Sequence, residues 1–290
     1  MPLDLPLPES RSLSLDHPVI MGILNVTPDS FSDGGQWARM EHAIGHGLEM
    51  VAEGADIIDV GGESTRPGSQ RVDADEQKNR VVEVIRTLRR ELDQLDRQVE
   101  ISIDTTLGDV AETALDAGAT ILNDVSAGQE DPRLFELAAT RNVPIVLMHM
   151  PGQPATMQQD PTYDNVVKDV RTFLTQRAKV AIGAGVRRDQ IVIDPGIGFG
   201  KTREHNLSLL NHLEQFVSTG FPVILGTSRK RFMGWVCRQP DGTEPPPDQR
   251  VGATCATTAL GVSGGVAMFR VHDVKANRQA ADVAWAIAHS

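Results

Sequence analysis

Short polar motifs recur along the chain, and each of them follows a run of apolar residues. In chain order they are NVTPDSFSDGG, DVGGESTRPG, DT, NDV, MHMPG, DPGIGFGKT, GTSRK and RVHDV. Carboxylate and amide groups can form paired hydrogen bonds with a planar heterocycle. An arginine can grip a phosphate through two parallel hydrogen bonds. The motifs therefore predict a binding site for a small polar or phosphorylated molecule.

The apolar runs before these motifs have the length and composition of buried strands. The predicted strands are 19–26, 56–60, 99–103, 120–123, 143–148, 191–193, 222–225 and 266–271. Segments with helical periodicity separate them, at 41–53, 76–95, 107–117, 132–140, 163–184, 204–218, 252–262 and 273–288. Such alternation predicts parallel strands with right-handed crossovers, and eight units close into an α/β fold of the (β/α)8 TIM-barrel type. A doubly wound open sheet is the main alternative.

The placement of the motifs favours the barrel, because the carboxyl ends of its strands converge on one face where ligands bind. We predict one enzyme domain over 18–290, preceded by an arm or hairpin over 1–17. A proline-rich segment at 238–249 is predicted to be a surface insertion.

Composition narrows the classes of partner. A net charge of -11 and a pI near 5.2 disfavour binding to nucleic acid or to anionic membranes. Cys237 and Cys255 are the two cysteines, which is too few for a disulfide framework and has no zinc-site spacing. The start of the chain lacks a signal-peptide pattern, and no apolar run reaches the roughly 18 residues of a membrane span. We expect a cytoplasmic protein without nucleic-acid or membrane partners.

The ordered set of motifs resembles that of the dihydropteroate synthases, the folate-pathway enzymes with which bacteria join a pterin to 4-aminobenzoate. The resemblance covers about 19–288, and several signatures in the same order make it specific. It implies that 6-hydroxymethyl-7,8-dihydropterin diphosphate and 4-aminobenzoate condense to 7,8-dihydropteroate and diphosphate. It also implies an SN1-like displacement, Mg2+ as the cofactor and a homodimer.

The resemblance further implies three adjoining subsites. The pterin would be bound by Asp104, Asn123, Met148, Asp194, Phe199, Gly226 and Lys230. The diphosphate would be bound by Asn25, Arg270 and His272, with Asn25 and an additional candidate, Asp33, as ligands of Mg2+. The 4-aminobenzoate would contact Phe31, Thr65, Arg66, Pro67, Phe199 and Ser228. The residues expected to be catalytic are Asp104, Lys230, Arg270 and His272.

The chemistry of these residues supports the implied roles, but some of the residues could have structural roles instead. Arg270 and His272 are two apart on a strand and so point to one side of it. Asp194 precedes Pro-Gly and could instead form a turn, Phe199 could be a core residue, and Arg270 could belong to a surface ion pair with an aspartate.

Two other functions fit a pterin-binding barrel. A methyltransferase that uses methyltetrahydrofolate and a corrinoid would share the pterin groups, but it would not need the FSDGG and STRPG loops or the RVH pair. A catalytically silent folate-binding homologue should have lost diphosphate or magnesium residues, and all of those are present.

Overall fold

The computed structural model describes residues 4–26, 36–64, 71–152 and 156–290, with the backbone alone for 36–39. Eight parallel strands form one sheet. They are β3 (Val19–Asn25), β4 (Ile57–Gly61), β5 (Glu100–Asp104), β6 (Ile121–Asp124), β7 (Ile145–Met148), β8 (Ile191–Asp194), β9 (Ile224–Leu225) and β10 (Met268–Val271). Two further strands, β1 (Asp4–Pro6) and β2 (Ser12–Ser14), form an antiparallel hairpin within the segment predicted as an arm or hairpin.

The order of the strands closes the sheet into a barrel. Neighbouring strands run β8-β7-β6-β5-β4-β3-β10-β9, so sequence neighbours are also spatial neighbours. The two ends of this series meet where Ile193 forms a parallel bridge with Val223, and the Ile193 N–H donates to the Pro222 carbonyl over 2.9 Å. The predicted (β/α)8 barrel is confirmed, and the open-sheet alternative is wrong.

Helices lie between the strands. They are α1 (Gln36–Ala52), α2 (Ala74–Leu92), α3 (Gly108–Asp116), α4 (Arg133–Arg141), α5 (Val166–Gly183), α6 (Arg203–Leu210), α7 (Glu214–Val217), α8 (Arg231–Val236), α9 (Val251–Ser263) and α10 (Val274–Ala288). The single helix predicted over 204–218 is wrong, because the chain turns at 211–213, where Asn211 and His212 have low helix propensity. Beyond that turn, α7 directs Phe216 into the core. Helix α8 was not predicted, since six residues are too few to show a helical period.

Alternate strand residues divide the inside of the barrel from its outer core. One set, which we name the apolar layer, consists of Val19, Met21, Ile57, Ile121, Val146, Val192, Ile224 and Met268. It packs on Leu5, Leu7 and Leu15 of the N-terminal segment, so the hairpin plugs this end of the barrel. The residues between them, such as Ile20 and Ile58, pack with the helices.

Ion pairing fixes the hairpin to the barrel. Glu100 at the start of β5 is fully buried, and its Oε1 accepts from Arg11 Nη1 over 2.6 Å. Thr120 and Gln98 donate to the same carboxylate. At the other end of the chain, Trp285 Nε1 donates to the carbonyl of Asp16 over 2.9 Å. In the part of the chain that the structure describes, no helix is long and apolar enough to cross a membrane.

Candidate active site

The inward-pointing series continues from the apolar layer into a group of polar residues nearer the carboxyl ends of the strands. We name this group the polar layer; it consists of Asp59, Ser102, Asp104, Asn123, Asp194 and Arg270. Five of the six are buried, and Arg270 is partly buried. The barrel therefore holds several ionisable side chains just above a fully apolar floor.

Arg270 on β10 connects the polar layer across the barrel. Its Nε donates to Asp59 Oδ2 over 2.6 Å, and its Nη2 donates to Asp104 Oδ2 over 2.7 Å. Asn123 Nδ2 donates to the same Asp59 oxygen over 3.1 Å. The structure thus brings together the predicted residues Asp104, Asn123 and Arg270. The surface ion pair considered for Arg270 is wrong, because both of its carboxylate partners are buried.

Burial raises the pKa of Asp104. Desolvation raises the pKa of its carboxyl to about 7, and the negative charge of Asp59 adds to the rise while Arg270 opposes it. Asp104 Oδ1, Asp59 Oδ1 and Ser102 Oγ are buried without a hydrogen-bond partner among the described residues. This part of the polar layer therefore has acceptor capacity that the protein's own donors do not use.

Asp194 ends β8, with one oxygen bound by the loop and the other facing inward. Its Oδ1 accepts from the Gly196 N–H over 2.7 Å. A Cβ placed on Gly226 would lie 3.7 Å from Oδ2, so the glycine at that position leaves space beside the carboxylate. Desolvation raises the pKa of Asp194, and the Gly196 N–H and Lys230 oppose the rise. Asp194 is thus both the turn-forming residue and a buried group of the polar layer.

Phe199 and Lys230 form a cation–π pair beside this group. Lys230 Nζ lies 3.9 Å from the centroid of the Phe199 ring. The ring packs against an apolar cluster of Val125, Met148, Met150 and Met157, which includes the predicted Met148 at the end of β7. Phe199 is half-buried, so it is not a residue of the fully buried core. The structure places Met148, Phe199 and Lys230, three of the residues predicted for the pterin subsite, close to one another.

Lys201 is a functional candidate that the sequence reading missed, although it stands inside the quoted DPGIGFGKT motif. The side chain is buried, and its Nζ lies 3.0 Å from His149 Nδ1 and 2.9 Å from the Phe199 carbonyl. Desolvation lowers the pKa of Lys201 to about 7, and desolvation together with the lysine lowers that of His149 to about 3. Lys201 Nζ also donates to the His149 carbonyl over 3.3 Å, so the lysine connects the loop after β7 to the loop after β8.

The ends of β9 and β10 meet at Ser228 and His272. Ser228 Oγ lies 2.9 Å from His272 Nδ1 and accepts from the His272 N–H over 3.1 Å. Next to them, Arg229 Nε donates to Asp273 Oδ2 over 2.9 Å, directly before α10. Ser228 was assigned to the 4-aminobenzoate subsite and His272 to the diphosphate subsite, so the contact places these two predicted subsites side by side.

Asn25 ends β3, opposite Asp104. A Cβ placed on Gly61 would lie 3.6 Å from Asn25 Oδ1 and 3.6 Å from Asp104 Cβ, so the missing side chain leaves a space between the two residues. The described residues contain no cluster of three or more His, Cys, Asp or Glu side chains that could hold a metal ion. An oxygen-seeking cation that keeps several waters, such as Mg2+, still fits an amide oxygen beside an open space.

Comparisons with known proteins identify the family. The model of the pterin-binding enzyme family matches residues 21–272. The dihydropteroate synthase of Mycobacterium leprae is 46% identical over 279 residues, which is 96% of each chain. The chain belongs to the dihydropteroate synthase family. The family predicted from the sequence motifs is confirmed, and so is the predicted class of enzyme, a transferase.

Two solved dihydropteroate synthase structures from Xanthomonas albilineans show the same fold. One is in complex with 4-aminobenzoic acid, with 41% identity, a TM-score of 0.89 and full coverage of both chains. The other is in complex with 7,8-dihydropteroate, with 39% identity and a TM-score of 0.84, covering 98% of this chain and 100% of the other.

Several residues predicted from the dihydropteroate synthase resemblance lie outside the described part of the chain. They are Phe31, Asp33, Thr65, Arg66 and Pro67. The 4-aminobenzoate subsite therefore stays a prediction, for which the structure describes Phe199 and Ser228.

Asp59 is the second residue that the sequence reading missed. It is the first residue of the motif DVGGESTRPG, to which no role was assigned at that position, and in the structure it stands in the middle of the strand IIDVG rather than after it. A charged residue in phase with Ile57 within an otherwise apolar strand was the available signal.

Proposed function

We propose that this chain condenses 6-hydroxymethyl-7,8-dihydropterin diphosphate with 4-aminobenzoate, which yields 7,8-dihydropteroate and diphosphate. The observation that carries the proposal is the buried polar layer at the carboxyl ends of the barrel strands, in a chain of the dihydropteroate synthase family. The ligands of the two Xanthomonas albilineans structures, 4-aminobenzoic acid and 7,8-dihydropteroate, are the second substrate and the product of this reaction.

The polar layer suits a pterin in shape and in hydrogen bonding. A pterin edge presents ring N–H groups, an exocyclic amine and a carbonyl, which need both acceptors and donors. Asp194 Oδ2, beside the space left by Gly226, can accept from paired N–H groups, and Lys230 can donate to the carbonyl or to a ring nitrogen. The apolar cluster that includes Met148 gives the flat ring a surface to lie on.

The diphosphate would lie toward the rim, near Asn25 and His272. Arg270 donates to carboxylates through Nε and one hydrogen of Nη2, so its predicted contact with diphosphate would use Nη1, the second hydrogen of Nη2 or a rearrangement of these pairs. We propose Mg2+ as the cofactor, with the Asn25 amide oxygen as the protein ligand. When bound, the ion supplies positive charge to the oxygens of the departing diphosphate.

In the proposed reaction, the bond between the pterin methylene carbon and the diphosphate oxygen breaks, and its electron pair leaves with the diphosphate. The lone pair of the 4-aminobenzoate nitrogen then forms the new C–N bond, and that nitrogen releases a proton to water. Positive charge builds on the pterin between these events. Asp104 can stabilise it, and a cationic pterin would in turn favour the ionised form of Asp104, whose pKa burial raises to about 7.

The test is an assay of diphosphate release from the pterin diphosphate, with and without 4-aminobenzoate and Mg2+. We expect product formation that depends on the arylamine and on Mg2+. Pterin binding without any arylamine-dependent product would instead identify a silent folate-binding homologue.

We further propose that the protein forms a homodimer through α9 and α10, which pack against each other. Leu260 on α9 is 49% exposed, and Val283 and Ile287, one turn apart on α10, are 60% and 71% exposed. Substitution of Ile287→Asp should shift the mass measured by light scattering from dimer to monomer. A wild-type protein that is monomeric at micromolar concentration would contradict the proposal.

A further inference from the structure

We propose that Asp59 is a positioning residue that determines which hydrogen-bonding groups Asn123 and Arg270 present to the pterin. The inference rests on the proposed function. Asp59 lies in the middle of β4, points into the barrel and has no exposed surface. A side chain without exposed surface does not itself contact the pterin, so any influence that it has must pass through its neighbours.

One oxygen of Asp59 joins two distant strands. Its Oδ2 accepts from Asn123 Nδ2 over 3.1 Å and from Arg270 Nε over 2.6 Å. Asn123 is on β6, two strands away in one direction, and Arg270 is on β10, two strands away in the other. The carboxylate therefore spans the interior and connects an amide and a guanidinium that have no hydrogen bond to each other among those the structure describes.

The contact fixes the orientation of the Asn123 amide. An ionised carboxylate can only accept hydrogen bonds, so the end of the amide that faces Asp59 must be the NH2 group. The carbonyl oxygen of Asn123 is then turned away from Asp59 and is available as an acceptor. The polar layer would in this way offer a pterin N–H group an acceptor rather than a donor at Asn123.

The same carboxylate holds the guanidinium of Arg270. Asp59 binds Nε while Asp104 binds Nη2, so two carboxylates from different strands determine the plane of the group. Two hydrogen bonds to charged acceptors confine an arginine far more than one does. Asp59 thereby sets the position of the cation that faces Asp104.

The experiment compares the binding of two ligands by the full-length protein, measured by calorimetry. The ligands are 6-hydroxymethylpterin and 6-hydroxymethyllumazine, in which a carbonyl replaces the exocyclic amine and so exchanges a donor for an acceptor. The wild type should prefer the pterin. In Asp59→Asn a carboxylate no longer holds the Asn123 amide, so this amide can turn its NH2 group toward the ligand. We therefore expect the preference for the pterin over the lumazine to fall by about tenfold, which is the equivalent of one hydrogen bond.

Asp56→Asn is the matched control. Asp56 directly precedes β4 and also pairs with two arginines, Arg97 and Arg278, but its side chain is partly exposed and has no contact with Asn123 or Arg270 among those the structure describes. This control should keep the wild-type preference. Asp59→Ser is a second test variant that removes the buried charge with a smaller side chain, and it should lose the preference as Asp59→Asn does.

Steady-state kinetics separate positioning from a general loss of structure. For Asp59→Asn we expect the KM for the pterin diphosphate to rise by about tenfold, and by more than kcat falls, with the KM for 4-aminobenzoate unchanged. A folded Asp59 variant that keeps the wild-type ligand preference would overturn the inference. A wild type that binds the pterin but forms no product would refute the proposed function and leave the binding test of Asp59 valid, whereas a wild type that binds neither ligand would refute both.

Discussion

The apolar layer and the polar layer use the same strands and the same inward-facing positions, yet they have opposite chemistry. On β4 the change takes place within one step of the strand period, between Ile57 and Asp59, which are both fully buried. Above this step, burial raises the pKa of Asp104 to about 7 and also raises that of Asp194. The difference teaches that burial alone does not separate core from site: the apolar layer stabilises the fold, and the polar layer keeps charge at a cost in desolvation.

The largest effect on stability is expected from a substitution that creates a cavity in the apolar layer. Ile57→Ala should lower the free energy of unfolding by about 2–5 kcal/mol, because it removes a fully buried side chain from a packed floor. Urea denaturation measures the change. The folded protein should keep a kcat within about twofold of the wild type, since Ile57 lies in the apolar layer and carries no polar group. A much lower kcat in fully folded Ile57→Ala would contradict the conclusion that the apolar layer serves stability and not activity.

A substitution in the polar layer should have the opposite effect, a loss of turnover without a loss of stability. Asp104→Asn should reduce turnover by at least about a hundredfold, because a single well-placed electrostatic group contributes on the order of 3 kcal/mol to the transition state. At pH 5 the free energy of unfolding should stay within about 1 kcal/mol of the wild type, since burial keeps the carboxyl largely protonated at that pH and the amide is then a close substitute. Turnover like that of the wild type would remove Asp104 from the site.

A smaller effect is expected where the hairpin closes the apolar end. Arg11→Met should destabilise the protein by about 1.5–3 kcal/mol, because it takes one charged donor from the fully buried Glu100 while Thr120 and Gln98 remain. Thermal unfolding of Arg11→Met and of the wild type measures this difference in stability. The control, Arg86→Met, breaks an exposed ion pair with Glu83 and should change stability by less than about 1 kcal/mol.

The last effect is gradual and concerns the contribution of Asp104 to the pH dependence of stability. Its pKa is higher in the folded protein than in the unfolded chain, so its contribution to stability is complete below the unfolded value of 3.8 and is lost as pH rises through about 7. Asp104→Asn lacks this loss. From pH 5 to pH 8, the variant should therefore become progressively more stable relative to the wild type in matched urea titrations, and a constant difference would contradict the raised pKa.

The sequence predicted the strand order and the strand-end residues well, because hydrophobic period and turn residues are local signals. At two of the misplaced strand starts, proline explains the difference. The pattern extends to Val143 and Pro222, but the ladders of β7 and β9 begin after Pro144 and Pro222, which have no N–H to donate.

The interactions inside the polar layer could not be predicted in the same way. Asp59 bonds to residues 64 and 211 positions away, and Lys201 bonds to His149 across 52 positions. Such pairs follow from barrel closure and side-chain direction, which a single sequence does not specify. The contact between Ser228 and His272, which lie in two different predicted subsites, also depends on barrel closure and could not be predicted from the sequence.

The most direct test of the division between the two layers measures kcat and the free energy of unfolding on the same preparations of Ile57→Ala and Asp104→Asn. The division predicts opposite outcomes: a large loss of stability with activity retained for Ile57→Ala, and a loss of turnover of at least about a hundredfold with stability retained for Asp104→Asn. If both quantities fell together in both variants, the two layers would not be separate in function, and the division would be refuted.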